Sequence, residues 1–340
     1  MNGSVKPSRN SQKQNIAANL DVPIEFEGII AISLPMRAVI RKILDAAAVD
    51  IPVLITGETG TGKDLIAAAI HKRSQRKDKP YLALNTGAMA SELIASELFG
   101  HERGAYTGAQ ESRAGIFEQA NGGTVFLDEI TTMDEKTQVS LLRVLEEKAV
   151  RRVGSNRSVG VDTRIIAATN EDLDSTVADK RFREDLFYRL NVFPIAVPPL
   201  RERHGAVSVL TEHFVAHFAA VFGKGIERVS PETYRLLRQY QWPGNVRELK
   251  NVIQTAVLMA EGNELTPDLI PQRIRDTLIG GAGHKASTCT FTVGVSLAAV
   301  ERELIRLTLA SARGNKKEAA SILGISRRAL YNKIQRHRLS

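Results

Sequence analysis

Short apolar runs alternate with helix-like patterns over the first two hundred residues. The apolar runs are IPVLIT (51–56), PYLALN (80–85), TVFLD (124–128), TRIIAAT (163–169) and VFPIAV (192–197). Strands that are apolar almost throughout, and that alternate with helices, are typical of a parallel sheet with both faces covered. The pattern therefore predicts an α/β domain over about residues 25–200.

The pattern changes after residue 200, where the predicted strands stop. Three helical stretches follow, at about 206–222, 231–240 and 245–260, and they predict a small helical subdomain over residues 201–275. Residues 276–295 are rich in Gly, Ser and Thr, as is typical of a linker. The polar residues 1–24 predict a disordered segment, and residues 296–340 predict an all-α domain.

Composition and charge exclude some classes of protein and indicate a class of partner. The chain has no apolar run near the roughly 18 residues that span a bilayer, and its polar beginning lacks the core of a secretory signal, so we expect a cytoplasmic protein with no membrane partner. The single Cys289 excludes an internal disulfide framework and a thiolate metal cage. The net charge is +8, and the last 43 residues hold ten basic against three acidic residues. This basic tail predicts a polyanionic partner, with a solvated helix face as the alternative.

One segment fits the phosphate-binding pattern GxxxxGK and lies between a predicted strand and a predicted helix. It consists of Gly57, Glu58, Thr59, Gly60, Thr61, Gly62, Lys63 and Asp64. In this setting backbone N–H groups and the helix N-terminus face the phosphates, and Lys63 reaches the β- and γ-phosphates. The segment predicts ATP and Mg²⁺ as cofactors, although Asp64 stands where the general motif has a hydroxyl for the metal.

Polar residues end two later strands at the same predicted edge of the sheet. Asp128 and Glu129 follow the third strand, and we expect Asp128 to organise Mg²⁺ and Glu129 to act as general base towards the attacking water. Thr169 and Asn170 end the fourth strand, where they can contact the γ-phosphate or cap a helix. A carboxylate pair placed after a P-loop indicates hydrolysis rather than nucleotide binding alone.

Arginines at two places are candidates for stabilising the transferred phosphoryl group. Arg183 and Arg189 lie in RFREDLFYRL (181–190), where an arginine can act on a neighbouring subunit's nucleotide; a helix with salt bridges to Glu184 and Asp185 is an equally good interpretation. Arg247 falls in the first turn of a helix that begins after Pro-Gly. The helix dipole disfavours a cation there, which favours a ligand role.

The tail predicts a helix-turn-helix domain. A helix over 299–312 ends at Gly314-Asn315, a second covers 316–324, and Ser326 caps a third, the recognition helix. The shared apolar set is Ala319, Ala320, Leu323, Ile325, Leu330 and Ile334. The residues expected to contact double-stranded DNA are Lys316, Ser326, Arg327, Arg328, Asn332, Lys333 and Arg336.

These motifs, in this order, resemble those of sigma-54-dependent transcriptional activators, also called bacterial enhancer-binding proteins. The shared segments are GETGTGKD, ELFGHERGAYTGA, GGTVFLDEI, RIIAATN, FREDLFYRLNVFPI, PPLRER and WPGNVRELKN. The resemblance covers about residues 25–275, and the tail resembles the family's Fis-type DNA-binding domain. It implies an AAA+ P-loop ATPase with a parallel sheet and helical lid, which binds upstream DNA and uses ATP hydrolysis to remodel sigma-54 RNA polymerase holoenzyme into an open complex.

The resemblance also implies roles for individual residues. Asn85 is expected to pair with Glu129, Arg183 and Arg189 to act as fingers in trans, and Arg247 to serve as the second sensor. Trans-acting fingers need ATP sites between subunits, so we expect a homo-oligomer, from dimer to hexameric ring. The sigma-54 contact loop corresponds to Gly104, Ala105, Tyr106, Thr107, Gly108 and Ala109.

Three departures from the family pattern are visible. Tyr106 replaces the usual Phe, which keeps the ring and adds a hydroxyl. Asp64 stands where the family usually has Glu, which keeps the charge and shortens the reach. After PPLRER the family commonly continues with Asp-Ile, whereas this chain has HGAVSV, which bears on a helix start rather than on the chemistry.

The remaining expectations concern control and alternative functions. About 25 residues precede the predicted ATPase domain, too few for a receiver, GAF or PAS domain, so we expect control by a separate regulatory protein or by expression level. One alternative is another AAA+ DNA-associated ATPase, of the replication-initiator or helicase-loader type, which would lack the GAYTGA loop. The other is a DNA-binding protein with a purely structural P-loop, against which Glu129, Arg183 and Arg189 argue.

Overall fold

The computed structural model describes residues 22–105, 109–281, 296–312 and 315–337. The described residues fall into two compact units, one formed by residues 22–229 with 241–265 and the other by residues 230–240 with 266–337. Among these residues, no helix combines the length and the apolar character needed to cross a membrane.

The bounds of the elements are as follows. The strands are β1 (Ile24–Phe26), β2 (Ile29–Ala31), β3 (Val53–Thr56), β4 (Tyr81–Asn85), β5 (Gly100–His101), β6 (Arg113–Ala114), β7 (Thr124–Asp128), β8 (Ala149–Arg151), β9 (Ser158–Gly160), β10 (Arg164–Thr169), β11 (Pro194–Ala196), β12 (Arg228–Val229) and β13 (Glu264–Leu265). The helices are α1 (Leu34–Ala48), α2 (Lys63–Arg73), α3 (Ser91–Phe99), α4 (Ile116–Gln119), α5 (Glu135–Glu147), α6 (Leu173–Ala178), α7 (Glu184–Leu190), α8 (Ala206–Phe222), α9 (Pro231–Gln239), α10 (Asn245–Met259), α11 (Gln272–Gly281), α12 (Leu297–Ser311), α13 (Lys316–Ile322) and α14 (Arg327–Arg336).

The five predicted apolar strands form one sheet in the order β11-β3-β10-β7-β4. Every pairing in this sheet is parallel. The helices that connect the strands lie on both faces, which confirms the predicted α/β architecture. All five strands therefore end at one edge, where the polar residues that follow them are brought together.

The alternation of side chains along each strand fills two separate cores. Val53 and Ile55 of β3 point into a core with residues of α1 and α2. Leu54 points to the opposite face and joins Val125 and Leu127 in a core with residues of α3, α5 and α7. Each fully buried side chain of this size contributes about 1.5–3 kcal/mol, so burial on both faces holds the strand ends in fixed positions.

The helices predicted after residue 200 are present, but the strands do not stop there. Helices α8 and α10 pack on each other, and α8 begins and ends next to Gly205 and Gly223, both in the left-handed region. The expectation of no further strand was wrong, because the short strands β12 and β13 pair in parallel. Strands of two residues are too short to show a period in the sequence.

Helices α12, α13 and α14 form the predicted helix-turn-helix arrangement. The predicted apolar set is buried or half-buried, and Ile305 and Ala312 of the first segment complete this core. Ser326 caps α14 by accepting a hydrogen bond from the Ala329 N–H. One detail of the prediction was wrong: Asn315 begins α13 rather than ending α12, since its side chain accepts from the N–H groups of Lys317 and Glu318.

Candidate functional site

Polar side chains from neighbouring strands meet at the carboxyl edge of the sheet. Asn85 ends β4 and is directly opposite Asp128, which ends β7. Thr169 ends β10 opposite Thr56, the last residue of β3 before the P-loop. Open parallel sheets bind ligands at this edge, so the sequence-predicted residues come together where a nucleotide site is expected.

The P-loop, residues 57–62, connects β3 to α2 and needs glycine at particular positions. Gly60 and Gly62 have φ values of 79° and 95°, in the left-handed region. A Cβ on Gly57 would lie 2.8 Å from the carbonyl oxygen of Val197. The loop leads into the first turn of α2, whose free N–H groups and dipole suit a phosphate.

Charges in this site are partly removed from water. Lys63 is buried, and its Nζ donates to the carbonyl oxygens of Gly57 (2.7 Å) and Glu58 (3.3 Å). Burial lowers the pKa of Lys63, and the carboxylates of Asp128 and Glu129 oppose that effect. Burial also raises the pKa of Asp128, against the influence of Lys63. An anion near Lys63 and a cation near Asp128 would each offset the cost of burying these charges.

Glu129 follows β7 in a strained turn that other residues hold in place. Its φ is 58°, in the left-handed region that favours glycine. The hydroxyl of buried Thr86 lies 3.0 Å from the carbonyl oxygen of Asp128 and 2.8 Å from that of Glu129. The Glu129 carboxylate rests against Gly87, where a Cβ would overlap its Oε2. Thr86 and Gly87 position the candidate base, and no recognisable motif in the sequence marked them.

Asn85 contacts the other carboxylate of the pair. Its Nδ2 donates to Asp128 Oδ2 (3.2 Å), and its Oδ1 accepts from the Ala88 N–H (3.1 Å). The expected pairing of Asn85 with Glu129 is therefore not the hydrogen bond that the structure contains. Asn85 Oδ1 and the Glu129 carboxylate still lie on the same side of Gly87, because a Cβ on that glycine would contact both.

The two residues at the end of β10 are placed differently. Asn170 is exposed and donates from Nδ2 to the hydroxyl of Thr59 in the P-loop (3.1 Å). Thr169 is fully buried, and its hydroxyl accepts from the Glu171 N–H (3.0 Å). The carbonyl of Thr169 accepts from the Gly57 N–H (3.2 Å), so this residue contributes to the site through its backbone.

Arg247 lies in the first turn of α10, as predicted, and is exposed. Its charge helps to lower the pKa of Lys63, so two cations share the site. No carboxylate of the described residues forms an ion pair with Arg247. An unpaired arginine beside the P-loop is suited to bind phosphate.

A cavity of about 290 Å³ opens beside the P-loop. Apolar side chains form most of its wall, among them Ile29, Leu65 and Phe214, and the polar residues His213 and Lys250 also line it. An apolar slot with a few polar groups is the usual form of a cofactor pocket. No sequence motif indicated this cavity, because its walls come from four separate segments.

The two candidate finger arginines lie on the surface in ion pairs within the chain. Arg183 pairs with Asp185 (2.7 Å) and Glu135 (3.3 Å), and Arg189 with Glu146 (2.9 Å). None of their ion pairs in the described residues involves the P-loop, Asp128 or Glu129. The arrangement matches the salt-bridged alternative in part, since Arg183 pairs with Asp185, while Arg189 is exposed and Arg183 is partly exposed at the surface.

The GAYTGA segment is carried by the β5–β6 hairpin, which we call the loop stem (residues 100–105 and 109–114). Gly104 and Ala109 join its two sides, with the Gly104 N–H donating to the Ala109 carbonyl (2.9 Å). Arg152 clamps the stem from outside: Nη1 donates to Glu102 Oε1 (3.2 Å) and to the Ser112 hydroxyl (3.0 Å). The predicted contact residues Tyr106, Thr107 and Gly108 lie outside the described residues.

Most of the predicted DNA-contacting side chains are exposed. The exposed members are Lys316, Ser326, Arg327, Arg328, Asn332 and Arg336. Lys316 places its ammonium 4.8 Å from the centre of the Tyr331 ring. Lys333 is the exception, because it forms an ion pair with Glu301 of α12 and is half-buried.

The P-loop, the carboxylate pair on the adjacent strand and the sheet order define an AAA+ ATPase, here followed by a helix-turn-helix domain. Three families match the chain in turn: the sigma-54 interaction domain over residues 29–196, the AAA+ ATPase lid domain over 201–285, and the bacterial regulatory proteins of the Fis family over 296–337. The chain belongs to the family of sigma-54-dependent transcriptional activators.

Individual relatives agree with this assignment. The transcriptional regulatory protein ZraR of Klebsiella oxytoca is 42% identical over 93% of this chain and 70% of its own length. The nitrogen fixation protein VnfA of Azotobacter vinelandii is 43% identical over 92% of this chain and 59% of its own length. Crystal structures of NtrX from Brucella abortus, in complex with ATP or ADP, are 31% identical and superpose with a TM-score of 0.69, covering 92% of this chain and 70% of NtrX.

These matches decide between the classes of function left open above. The chain is an AAA+ ATPase, its structural relative NtrX is known in complex with ATP and with ADP, and the chain carries a segment that matches the sigma-54 interaction domain together with a Fis-type helix-turn-helix domain. The replication-initiator alternative is not favoured, since the matching domain is specific to sigma-54. The chain spans 70% of the length of ZraR and 59% of the length of VnfA.

Proposed function

We propose that the chain activates transcription by hydrolysing ATP at the carboxyl edge of its sheet and using the resulting motion to convert sigma-54 RNA polymerase holoenzyme into an open complex. The observation that carries the proposal is the convergence of Lys63, Arg247, Asp128 and Glu129 on one edge, on the same subdomain as the GAYTGA loop stem. Hydrolysis and the polymerase contact are therefore built on one subdomain, although the stem strands form a sheet of their own.

In the proposed site, the P-loop N–H groups and Lys63 hold the phosphates. The adenine base of the nucleotide enters the apolar cavity beside the loop, and Arg247 and Asn170 reach the terminal phosphate. Each of these protein groups is a hydrogen-bond donor or a cation, and together they balance the charge of a nucleoside triphosphate. The residues proposed to form this binding site are Gly57, Glu58, Thr59, Gly60, Thr61, Gly62, Lys63, Asp64, Thr169, Asn170 and Arg247.

The donor set suits Mg²⁺. The ion prefers a single carboxylate combined with phosphate oxygens and water, and the half-buried Asp128, whose ionised form is disfavoured by burial, supplies that carboxylate. When bound, Mg²⁺ neutralises charge that develops on the phosphates. Asp64 is exposed at the start of α2 and could interact with the ion only through water.

Glu129 is the proposed general base. It accepts a proton from the water that attacks the γ-phosphate, while Asn85 fixes the adjacent Asp128 carboxylate. Arg183 and Arg189 are proposed to leave their ion pairs and stabilise the transition state in a neighbouring subunit's site, which requires a ring, typically a hexamer, built from dimers. The surface position of both arginines, with Arg189 exposed and Arg183 partly exposed, supports this role.

The output of the cycle is proposed to pass through the loop at residues 104–109. Tyr106, at the centre of GAYTGA, would supply an aromatic contact to sigma-54. Helix α14 is proposed to enter the major groove of an upstream DNA site, with Arg327 and Arg328 near base edges and Arg336 at phosphates. Because its proposed partners are RNA polymerase and DNA, we propose that the chain acts in the cytoplasm.

A comparison of two variants tests the catalytic part of the proposal. Lys63→Ala should abolish ATP binding, whereas Glu129→Gln should retain binding and lose hydrolysis, because only Glu129 is assigned to proton transfer. Nucleotide affinity measured with a fluorescent ATP analogue and turnover measured by phosphate release separate the two effects. Full turnover in Glu129→Gln would contradict the assignment.

A further inference from the structure

The outer side of the P-loop is hydrogen-bonded throughout to residues that follow the sheet. The carbonyl oxygen of Thr59 accepts from Asn245 Nδ2 (3.0 Å), that of Gly60 from the N–H groups of Val246 (3.0 Å) and Arg247 (3.2 Å), and that of Thr61 from Arg203 Nη2 (2.8 Å). Three consecutive carbonyl groups of the loop are thus bound by residues outside the loop.

The side chain of Glu58 extends this set of contacts. Arg201 binds it with both Nη atoms, at 2.8 Å to Oε2 and 2.6 Å to Oε1. Asn245 Nδ2 also donates to Glu58 Oε2 (3.1 Å). Hydrogen bonds from Arg201 and Asn245 hold the pKa of Glu58 below its ordinary value, so the carboxylate is ionised at neutral pH.

Asn245 is the residue at which all these segments meet. Its side chain is fully buried, and besides the two bonds that Nδ2 donates, its Oδ1 accepts from the Leu200 N–H (2.7 Å). Its φ is 49°, in the left-handed region that Asn tolerates better than most residues. One side chain therefore connects the P-loop, the segment after β11 and the first turn of α10, two residues before Arg247.

Close packing fixes the same contact. A Cβ on Gly60 would overlap the carbonyl oxygen of Gly244, so the P-loop and the start of α10 are in direct backbone contact. A shift of the loop's peptide groups towards a phosphate moves the Gly60 carbonyl, and that carbonyl is bound to the N–H of Arg247 itself.

We propose that Asn245 is a positioning residue of the ATPase, which ties the start of α10 to the outer side of the P-loop and thereby sets where Arg247 stands relative to the nucleotide. We call these contacts, made by Arg201, Arg203, Asn245, Val246 and Arg247, the P-loop clasp. The inference rests on the proposed function, because it assigns Asn245 an effect on hydrolysis through Arg247.

The test is a double-mutant cycle between Asn245→Gly and Arg247→Ala in the full chain. Glycine accepts the left-handed φ and removes only the side-chain bonds. Asn245→Gly should lower kcat/KM for ATP on the order of 10- to 100-fold, as expected when a catalytic group is misplaced. In the Arg247→Ala background the same change should lower kcat/KM by less than about threefold, because Asn245 acts through Arg247 and that side chain is already removed.

A merely structural role predicts a different result. Loss of stability alone would reduce kcat/KM by the same factor in both backgrounds, and that additivity would overturn the proposal. Asn121→Gly is the matched control, because Asn121 also accepts a backbone hydrogen bond (2.7 Å, from the Asp162 N–H) but lies outside the clasp. It should change kcat/KM little in either background.

A second pair of variants covers the case in which Asn245→Gly does not fold. Asn245→Asp keeps the acceptor for Leu200 and places a carboxylate against Glu58, and Glu58→Gln in the same chain restores a donor between the two positions. The double variant should recover part of the kcat/KM lost in Asn245→Asp, and no recovery would overturn the clasp. Absence of ATP hydrolysis in the unmodified chain would instead contradict the proposed function.

Discussion

At the scale of single residues, the candidate base is held by neighbours that carry no chemistry of their own. Glu129 sits in a left-handed turn whose carbonyl groups contact the Thr86 hydroxyl, and its carboxylate occupies the space beside Gly87. A left-handed turn at a residue other than glycine costs on the order of 1–3 kcal/mol. The surrounding contacts offset that strain and keep the carboxylate at the edge of the sheet.

Gly87→Ala should therefore impair catalysis rather than folding. The new Cβ overlaps Glu129 Oε2, the flexible end of a side chain, so the carboxylate is displaced while the backbone stays in place. We expect kcat for ATP hydrolysis to fall on the order of tenfold or more, with KM nearly unchanged. Steady-state kinetics checks this, with Gly225→Ala as control because a Cβ there meets no atom within 4 Å. An unchanged kcat in Gly87→Ala would show that the carboxylate is not held in this way.

Sequence reasoning found the residues with their own chemistry and missed those that position them. Lys63, Asp128 and Glu129 could be predicted because each belongs to a short motif with a fixed place after a strand. Thr86 and Gly87 could not, because their roles depend on the pairing of β4 with β7, which brings residues more than 40 positions apart into contact.

At the scale of elements, Arg152 braces the loop stem through its side chain. Arg152 binds Glu118 through two hydrogen bonds of 2.8 Å and bonds to Glu102 and Ser112 on the two sides of the stem. The Arg152 hydrogen bonds hold the pKa of Glu118 below its ordinary value. The stem is thus fixed to the body of the domain, which is what a loop needs if it is to transmit a displacement.

Arg152→Ala should uncouple the two activities. We expect ATP hydrolysis to continue at nearly the normal rate, because no catalytic residue is touched, and open-complex formation to fall on the order of tenfold, because the stem loses its brace. Arg151→Ala is the control, since the adjacent Arg151 bonds to the exposed Ser158 across β8 and β9 and, among the described residues, not to the loop stem. Equal losses of both activities in Arg152→Ala would indicate a general structural defect.

A second element-scale contact joins α12 to the recognition helix. Glu301 binds both Lys333 and His337, and hydrogen bonds from these two residues lower the pKa of Glu301 to about 2. A carboxyl whose pKa is lowered by folding stabilises the folded form above its ordinary pKa, and this contribution is lost as the pH falls towards 2.

Glu301→Gln should therefore speed amide hydrogen exchange in α14 at neutral pH, and the difference from the unmodified chain should shrink as the pH is lowered from about 4.5 towards 2. Exchange measured by mass spectrometry on the full chain checks this. Glu303→Gln, which removes an ion pair with Arg306 within α12, is the control and should leave α14 unaffected. A difference that persists undiminished at low pH would rule out the ion pairs as its cause.

The five strands of the central sheet and helices α8, α9 and α10 followed from periodicity, and the exceptions discussed here have physical reasons. Helix α8 has the bounds that its pattern predicted, Ala206–Phe222, because a left-handed glycine lies at each end. Strands β12 and β13 were missed since two residues show no alternation. Asn315 was assigned to the wrong helix because asparagine is common at both ends of helices, and only its hydrogen bonds to Lys317 and Glu318 decide between them.

At the scale of the whole molecule, the arginines assigned to the transition state are paired with carboxylates of their own chain. Both are on the surface, and neither pairs with a nucleotide-site residue among those described. Surface pairs of this kind contribute little to stability because water screens them, so they are readily exchanged for a phosphate in another subunit.

Mixing two inactive variants tests whether these arginines act between subunits. Arg183→Ala retains Glu129, and Glu129→Gln retains Arg183, so a mixed ring contains interfaces at which both groups are intact. ATP hydrolysis should be absent or low for each variant alone and should partly recover in the mixture. A mixture of Lys63→Ala and Glu129→Gln should not recover, because both changes disable the same site. No recovery with Arg183→Ala at any ratio would place its action within one chain.

The P-loop clasp shows the limit of sequence reasoning at this scale. The P-loop and the first turn of α10 were each predicted, yet the bonds that Glu58 accepts from Arg201 and Asn245 join positions 143 and 187 residues apart. No local pattern marks such contacts. They follow from the lid returning to the sheet edge, which only the three-dimensional structure shows.

The central claim is that ATP hydrolysis at the sheet edge converts the polymerase into an open complex, and that the GAYTGA loop transmits this effect. Open-complex formation on a sigma-54 promoter, with purified holoenzyme and ATP, measures this directly when the unmodified chain is compared with Tyr106→Ala and each is also assayed for ATP hydrolysis. We expect open complexes with the unmodified chain, and with Tyr106→Ala we expect continued ATP hydrolysis but no open complexes. Open complexes formed equally well by Tyr106→Ala, or ATP hydrolysis without open complexes from the unmodified chain, would contradict the claim.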